Sequence, residues 1–262
     1  MDRHRAGTIA LAALLCWGQG CGAKKPAEPA KATKVLFVGD SLTYVNDLPR
    51  MFSDLARSRG DLVEVDLTAK GGNSLRDHLN SAWFHTKLQA KPWDFVVLQE
   101  QSQIPAFPPD EVAQRMTPAA LELNRLIHAH RPETATVFFE SWGLKNGDDM
   151  NCGHFPELCS YGGMQSRIEH TYEELTERTG ALLAPVGRAW AAVRQAHPEI
   201  ELYKADGIHP ELPGSYLAAC VFYATLFKKS AAGADALGLD PAQAETLQSA
   251  ADEAVFGASG PK

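Results

Sequence analysis

The sequence predicts an α/β domain of three layers, with helices on both faces of a roughly five-stranded parallel sheet. Three observations predict it. Short apolar runs alternate five times with longer amphipathic stretches, the pattern of a parallel sheet with crossover helices. Several runs are apolar without a break, as strands covered on both faces must be. The composition is globular: 262 residues, 45% hydrophobic and 22% charged. That excludes a wholly disordered chain, a fibre and a disulfide-stapled miniprotein.

The elements follow in order. Residues 34–38 (KVLFV) predict the first strand and 47–59 a helix. Residues 62–68 predict the second strand and 75–88 the next helix. The run 95–98 (FVVL) predicts the third strand. Residues 109–130 predict one long helix with Leu121, Leu123, Leu126 and Ile127 on one side. Residues 135–140 (ATVFFE) predict the fourth strand, 165–179 a helix and 181–186 the fifth strand. Helices over 212–227 and 241–254 close the chain. Trp83, Trp93 and Trp190 read as core or helix–sheet packing, and Cys220 as a buried, inert thiol. There is no internal repeat. In such sheets crossovers are right-handed and ligands bind beyond the carboxyl ends of the strands. Chemistry is therefore to be sought just after Val38, Thr68, Leu98, Glu140 and Val186. Residues 143–163 form the longest irregular stretch, a lid or a surface loop.

The N-terminus reads as an address. Basic residues 2–5 precede an apolar stretch, 6–17, too short to span a bilayer. Gly18, Gln19 and Gly20 then lead to Cys21. This is a secretory-signal pattern over 1–20. Cys21 after Gly20 resembles a bacterial lipobox, although Gly18 stands where that motif usually has Leu. The resemblance implies an exported, envelope protein lipid-anchored at Cys21; cleavage near Ala23 is the alternative. Residues 21–33 read as a flexible tether, 34–230 as the folded domain and 231–262 as a C-terminal helix and tail. Cys152 and Cys159 lie in a Gly-, Asn- and Asp-rich loop, where a disulfide suits an oxidising compartment. The formal net charge is −7, and losing Arg3, Arg5 and Asp2 makes it −8. Such a chain is a poor nucleic-acid or anionic-lipid binder.

Two motifs carry chemistry. Gly39-Asp40-Ser41 follows the first strand, which places a serine hydroxyl where a helix begins and its amides favour negative charge. The same residues also suit a plain helix cap. The second motif is Asp206-Gly207-Ile208-His209. Of nine histidines, only His209 has a carboxylate three residues before it. A carboxylate so placed can hold an imidazole tautomer, and a surface turn is the alternative. Asp148, Asp149 and His154 suggest a solvated loop more than a metal site. Trp142, Phe155 and Tyr161 either line a substrate pocket or pack beneath the loop. No metal or organic cofactor is implied.

Together the two motifs resemble the SGNH hydrolases, or GDSL-type esterases, across residues 34–227. The resemblance implies a flavodoxin-like sheet, with Ser41 as nucleophile, His209 as general base and acid, and Asp206 as orienting carboxylate. It also implies an oxyanion hole of the Ser41 amide, a glycine after the second strand and an asparagine after the third. The glycine is Gly72, with Gly71 the rival. The third block departs from the pattern: Gln99-Glu100-Gln101-Ser102-Gln103 stands in place of Gly-x-Asn-Asp. The Gln101 carboxamide is the expected donor, Ser102 is the alternative, and Glu100 is expected to point away. The implied activity is a serine ester hydrolase acting on a small-molecule or glycan acyl ester, with acetyl groups favoured. Lipase or thioesterase activity, acyl transfer to a second alcohol, and a non-catalytic glycan-binding lipoprotein are the alternatives.

Overall fold

The computed structural model describes residues 31–257. The expected signal, the Cys21 anchor, most of the tether and the last five residues lie outside the described residues.

Strand β1 (Thr33–Gly39) leads into a one-turn helix, α1 (Ser41–Tyr44), and then α2 (Leu48–Ser58). Strand β2 (Val63–Ala69) is followed by α3 (Leu75–Leu79) and α4 (Ala82–Ala90). Strand β3 (Phe95–Leu98) precedes α5 (Pro109–Arg115) and α6 (Thr117–His130). Strand β4 (Ala135–Phe139) is followed by the long loop and α7 (Tyr161–Thr179), then β5 (Leu182–Ala184) and α8 (Val186–Ala196). Helices α9 (Leu212–Phe227) and α10 (Pro241–Phe256) end the fold.

The five strands lie in the order β2-β1-β3-β4-β5, all parallel. This is the flavodoxin-like order, and its direction of winding reverses beside β1. The apolar run of β1 suits an inner strand, flanked by β2 and β3 and covered on both faces. Val35 and Phe37 point into one hydrophobic cluster, Leu36 and Val38 into the other, and all four are fully buried. A period of two on a doubly covered strand yields that split. The first cluster packs Phe37, Phe52, Phe139 and Phe222 edge to face beneath α2 and α9. Leu247 and Ala251 of α10 join the same cluster.

Four expectations need correction. The helix expected over 75–88 is two, α3 and α4, with the break at Asn80-Ser81. The helix over 109–130 is also two, because Pro118 opens α6 within its first turn and lacks the N–H that an unbroken helix needs there. Helix α8 starts at Val186, inside the expected fifth strand, and its apolar face (Ala189, Trp190, Val193) packs into the core. Trp83 is 47% exposed on α4 rather than packed in the core; Trp93 and Trp190 are fully buried, as is Cys220.

Candidate active site

The register of the sheet brings the site together. Gly39 at the end of β1 pairs beside Ala69 of β2 and next to the end of β3. The loops carrying Ser41, Gly72 and Gln101 therefore leave the same edge of the sheet. Gly39 has no room for a side chain: a Cβ there would fall 2.2 Å from Thr43 Oγ1 and 2.4 Å from Gln99 Oε1. Asp40 caps α1, its carboxylate accepting from the Leu42 amide at 2.9 Å. Ser41 is the first residue of that helix.

His209 reaches Ser41 from the other end of the sequence. Its Nε2 lies 2.9 Å from Ser41 Oγ, and its Nδ1 lies 2.7 Å from Asp206 Oδ2. With the Nδ1–H donating to the carboxylate, Nε2 is left to accept the serine proton. Asp206 Oδ1 accepts from the amides of Ile208 and His209, both at 2.9 Å. Burial pushes the Asp206 carboxyl up, but the hydrogen bonds from His209 and the two amides outweigh it and hold the group at about 2. The loop does not follow a strand of the sheet, as the α/β pattern suggested. It joins α8 to α9 and is braced by a single bridge between Tyr203 and Pro210.

With this arrangement in view, similarity to solved structures decides the family. The chain is 32% identical to a protein from Slackia heliotrinireducens assigned as an SGNH hydrolase, over 75% of this chain and all of that one, with a TM-score of 0.62. The chain belongs to the SGNH hydrolase family. Two more distant likenesses support the fold alone. A DUF4886 family protein from Bacteroides uniformis is 19% identical over 86% of this chain and 95% of its own, with a TM-score of 0.75. An acetylxylan esterase from Geobacillus stearothermophilus is 18% identical over 76% of this chain and 96% of its own, with a TM-score of 0.52. No family model matches the chain, and no curated protein matches it.

In this SGNH hydrolase, Gly72 adopts φ +74°, a left-handed conformation that glycine takes without strain. Its loop is tied to β1 by the Lys70 amide donating to the Gly39 carbonyl. The Ser41 and Gly72 amides have no hydrogen-bond partner among the described residues. The Gln101 carboxamide is held along its own loop. Its nitrogen donates to Gln103 Oε1 at 3.1 Å, and its oxygen accepts from the Gln103 and Ile104 amides. Ser102 is buried, and its backbone lies near the Asp40 carboxylate. The Glu100 carboxyl is buried and bonded to backbone. One of its oxygens accepts from the Leu75 amide at 3.1 Å and the Gln101 amide at 2.7 Å. Burial pushes its carboxyl up to about 8.

Several supporting residues are invisible to motif reading. Gln99 Oε1 accepts from the Asp40 amide at 2.8 Å and from Thr43 Oγ1 at 2.7 Å, fastening β3 to the serine loop. His78 of α3 is buried and donates through Nε2 to the Gly39 carbonyl at 2.8 Å; burial lowers its pKa and keeps it neutral. The only signal for Gln99 was its place just after a strand, and His78 offered none.

The long loop after β4 is an ordered surface structure. Cys152 and Cys159 form a disulfide. Asp148 is buried rather than solvated. It accepts from the Met150 and Asn151 amides, from Asn151 Nδ2 and, at 2.9 Å, from Gln103 Nε2 of the third block. Trp142 stacks on Trp190 at 3.9 Å and donates to the Ile208 carbonyl at 3.0 Å, beneath the histidine loop. Phe155 packs on Phe107, and the Tyr161 ring carries the Arg194 guanidinium. Each of these aromatics packs against another side chain.

Proposed function

We propose that this SGNH hydrolase cleaves carboxylic esters with Ser41 as nucleophile, His209 as general base and acid, and Asp206 as the orienting carboxylate. The observation that carries the reading is the continuous hydrogen-bonded line from Asp206 through His209 to Ser41. A neutral serine attacks an ester carbonyl only when a base takes its proton. His209 Nε2 takes it as Oγ bonds to the acyl carbon. The Ser41 and Gly72 amides receive the oxyanion, and Gln101 joins them by exchanging its bond to Gln103. His209 then protonates the departing alcohol. Water, deprotonated by the same imidazole, releases the acid and restores Ser41.

The surroundings support one class of substrate. A cavity of about 610 Å³ beside the histidine loop is lined by Lys145, Asn146, Glu201, Lys204 and Asp206. A second, of about 230 Å³, is lined by Gln103, Asn146, Asp149, Met150 and Ile208. Groups of this kind hydrogen-bond hydroxyls. They support a carbohydrate carrying acetyl or another short acyl group. A lipase or thioesterase would draw on an apolar groove by Trp142 and Phe155, and both are packed against other rings. We place the enzyme in the bacterial envelope, exported and anchored through Cys21. The disulfide fits such an oxidising compartment.

The test is turnover of p-nitrophenyl acetate, butyrate and octanoate, and of acetylated oligosaccharides, by wild type and Ser41→Ala. The variant is expected to lose kcat by at least about a thousandfold. A preference for acetate over octanoate is expected as well. Turnover that survives Ser41→Ala removes Ser41 as nucleophile, and a preference for octanoate removes the short-acyl substrate.

A further inference from the structure

Asn46 lies five residues beyond Ser41, between α1 and α2. Its backbone is left-handed, φ 57° and ψ 22°, and so is that of Asp47, φ 53° and ψ 48°. Two consecutive residues with side chains in this region are costly, although Asn and Asp tolerate it best. Such strain persists only where the surroundings hold it. Here the hold is visible. The Asn46 carboxamide nitrogen donates to the Pro210 carbonyl at 3.0 Å and to Ser215 Oγ at 2.9 Å. Pro210 follows His209 directly, and Ser215 lies in the first turn of α9. Both acceptor residues are buried.

The position of this link sets it apart. The histidine loop is fastened on its other side by the Lys204 amide to the His209 carbonyl, the Glu211 amide to the Leu202 carbonyl, and Trp142 to Ile208. None of these reaches the serine segment. Among the described residues, the hydrogen bonds between 40–47 and 206–215 are those of the Asn46 amide and the Ser41–His209 pair itself. Between the two halves of the site, 168 residues apart in sequence, one carboxamide thus supplies every hydrogen bond among the described residues besides the Ser41–His209 pair.

We propose that Asn46 is a positioning residue for catalysis. Its amide fixes the height of the His209 loop over Ser41, and the left-handed pair at 46–47 aims the amide there. The proposal rests on the reading of Ser41 and His209 as nucleophile and base.

The experiment compares wild type, Asn46→Gly, Asn46→Asp and Ser41→Ala. Glycine accepts φ near +57° without strain and removes only the amide, so it separates positioning from backbone relief. Aspartate keeps the shape but offers oxygen where the Pro210 carbonyl needs a donor. For both Asn46 variants kcat on p-nitrophenyl acetate is expected to fall about ten- to a hundredfold, with KM within about twofold, as small misplacements of reacting groups do. Their crystal structures should show His209 Nε2 moved beyond 3.5 Å from Ser41 Oγ. Wild-type kcat in Asn46→Gly, or an unchanged Ser41–His209 distance in either variant, overturns the proposal. Turnover that persists in Ser41→Ala, or a wild type inactive on esters, instead defeats the functional reading, and the variant structures still decide what Asn46 does. If Asn46→Gly does not fold, Asn46→Asp carries the same two measurements.

Discussion

At the scale of single residues, the proposed mechanism divides the site into groups that react and groups that aim them. Asp206 belongs to the second kind. Its carboxylate, held at about 2, stays ionised at any pH where an imidazole can act as a base. One of its oxygens takes the His209 Nδ1–H while the other takes two backbone amides. Asp206→Asn keeps the shape but can present an N–H to Nδ1, which favours the wrong tautomer. Ester turnover should fall by about a thousand- to ten-thousandfold in kcat, with KM nearly unchanged. A loss below about tenfold means the carboxylate does not set the tautomer. Ser41, Asp206 and His209 were legible because a short motif fixes each of them locally: an Asp cap before the serine, an Asp-Gly turn before the histidine. Gln99, His78 and Asn46 were not legible. Their roles lie in partners 59, 39 and 164 residues away, which no local spacing records. The Gln101 carboxamide, expected to reach the oxyanion, has its donors on Ser102 and Gln103.

At the scale of elements, periodicity located the strands because β1 and β3 hold unbroken apolar runs and β2 (VEVDLTA) alternates apolar with polar residues. It was weaker for helices that begin where strands end. Helix α8 starts one residue after Pro185, so its first apolar residue, Val186, reads as the end of β5. Pro118 and the break at Asn80-Ser81 likewise hid inside stretches whose apolar spacing continues across them. The loop between β4 and α7 shows how an irregular element is held without a core of its own. Asp148 gathers the backbone of 150–151 and the Gln103 side chain, and the disulfide closes the ring behind it. Joining cysteines only seven positions apart removes little chain entropy, about 2–3 kcal/mol. The Cys152→Ser/Cys159→Ser variant should lose about that much in urea unfolding. An unchanged midpoint would mean that the Asp148 hydrogen bonds hold the loop alone, and that the disulfide contributes little to stability.

At the scale of the whole molecule, two buried acids set how the fold responds to pH. Glu100 lies under the site and Glu140 at the end of β4, and both are fully buried. Burial raises each to about 8 from an ordinary value of 4.5, against the hydrogen bonds of Gln101 and Leu75 on one and the charge and amide of Arg188 on the other. Each also has one oxygen without a hydrogen-bond partner among the described residues. A carboxyl raised on folding is protonated in the folded chain where the unfolded chain has already ionised. Its contribution is complete below about pH 4.5 and is lost as pH rises through 8. Asp40, also raised by burial, acts in the same sense. The carboxylates held below their ordinary values, Asp66, Asp77, Glu201 and Asp206, act in the opposite sense at acid pH below that window, and His78, lowered by burial, does so as pH rises through the ordinary imidazole value, partly offsetting the pair there. Urea unfolding of the full chain at pH 5.5, 7.0 and 8.5 should therefore show stability declining toward alkali. Glu100→Gln and Glu140→Gln should each make the decline shallower, because a neutral amide has no proton to lose. If the wild type is equally stable at all three values, both carboxyls ionise without cost and reach water that the packing around them does not show. If only Glu140→Gln flattens the slope, then Glu100 ionises readily within the site. The Leu75 and Gln101 amides it holds, one from each loop that carries a proposed oxyanion donor, would then face a full negative charge. Ester turnover would be expected to weaken over the same pH range.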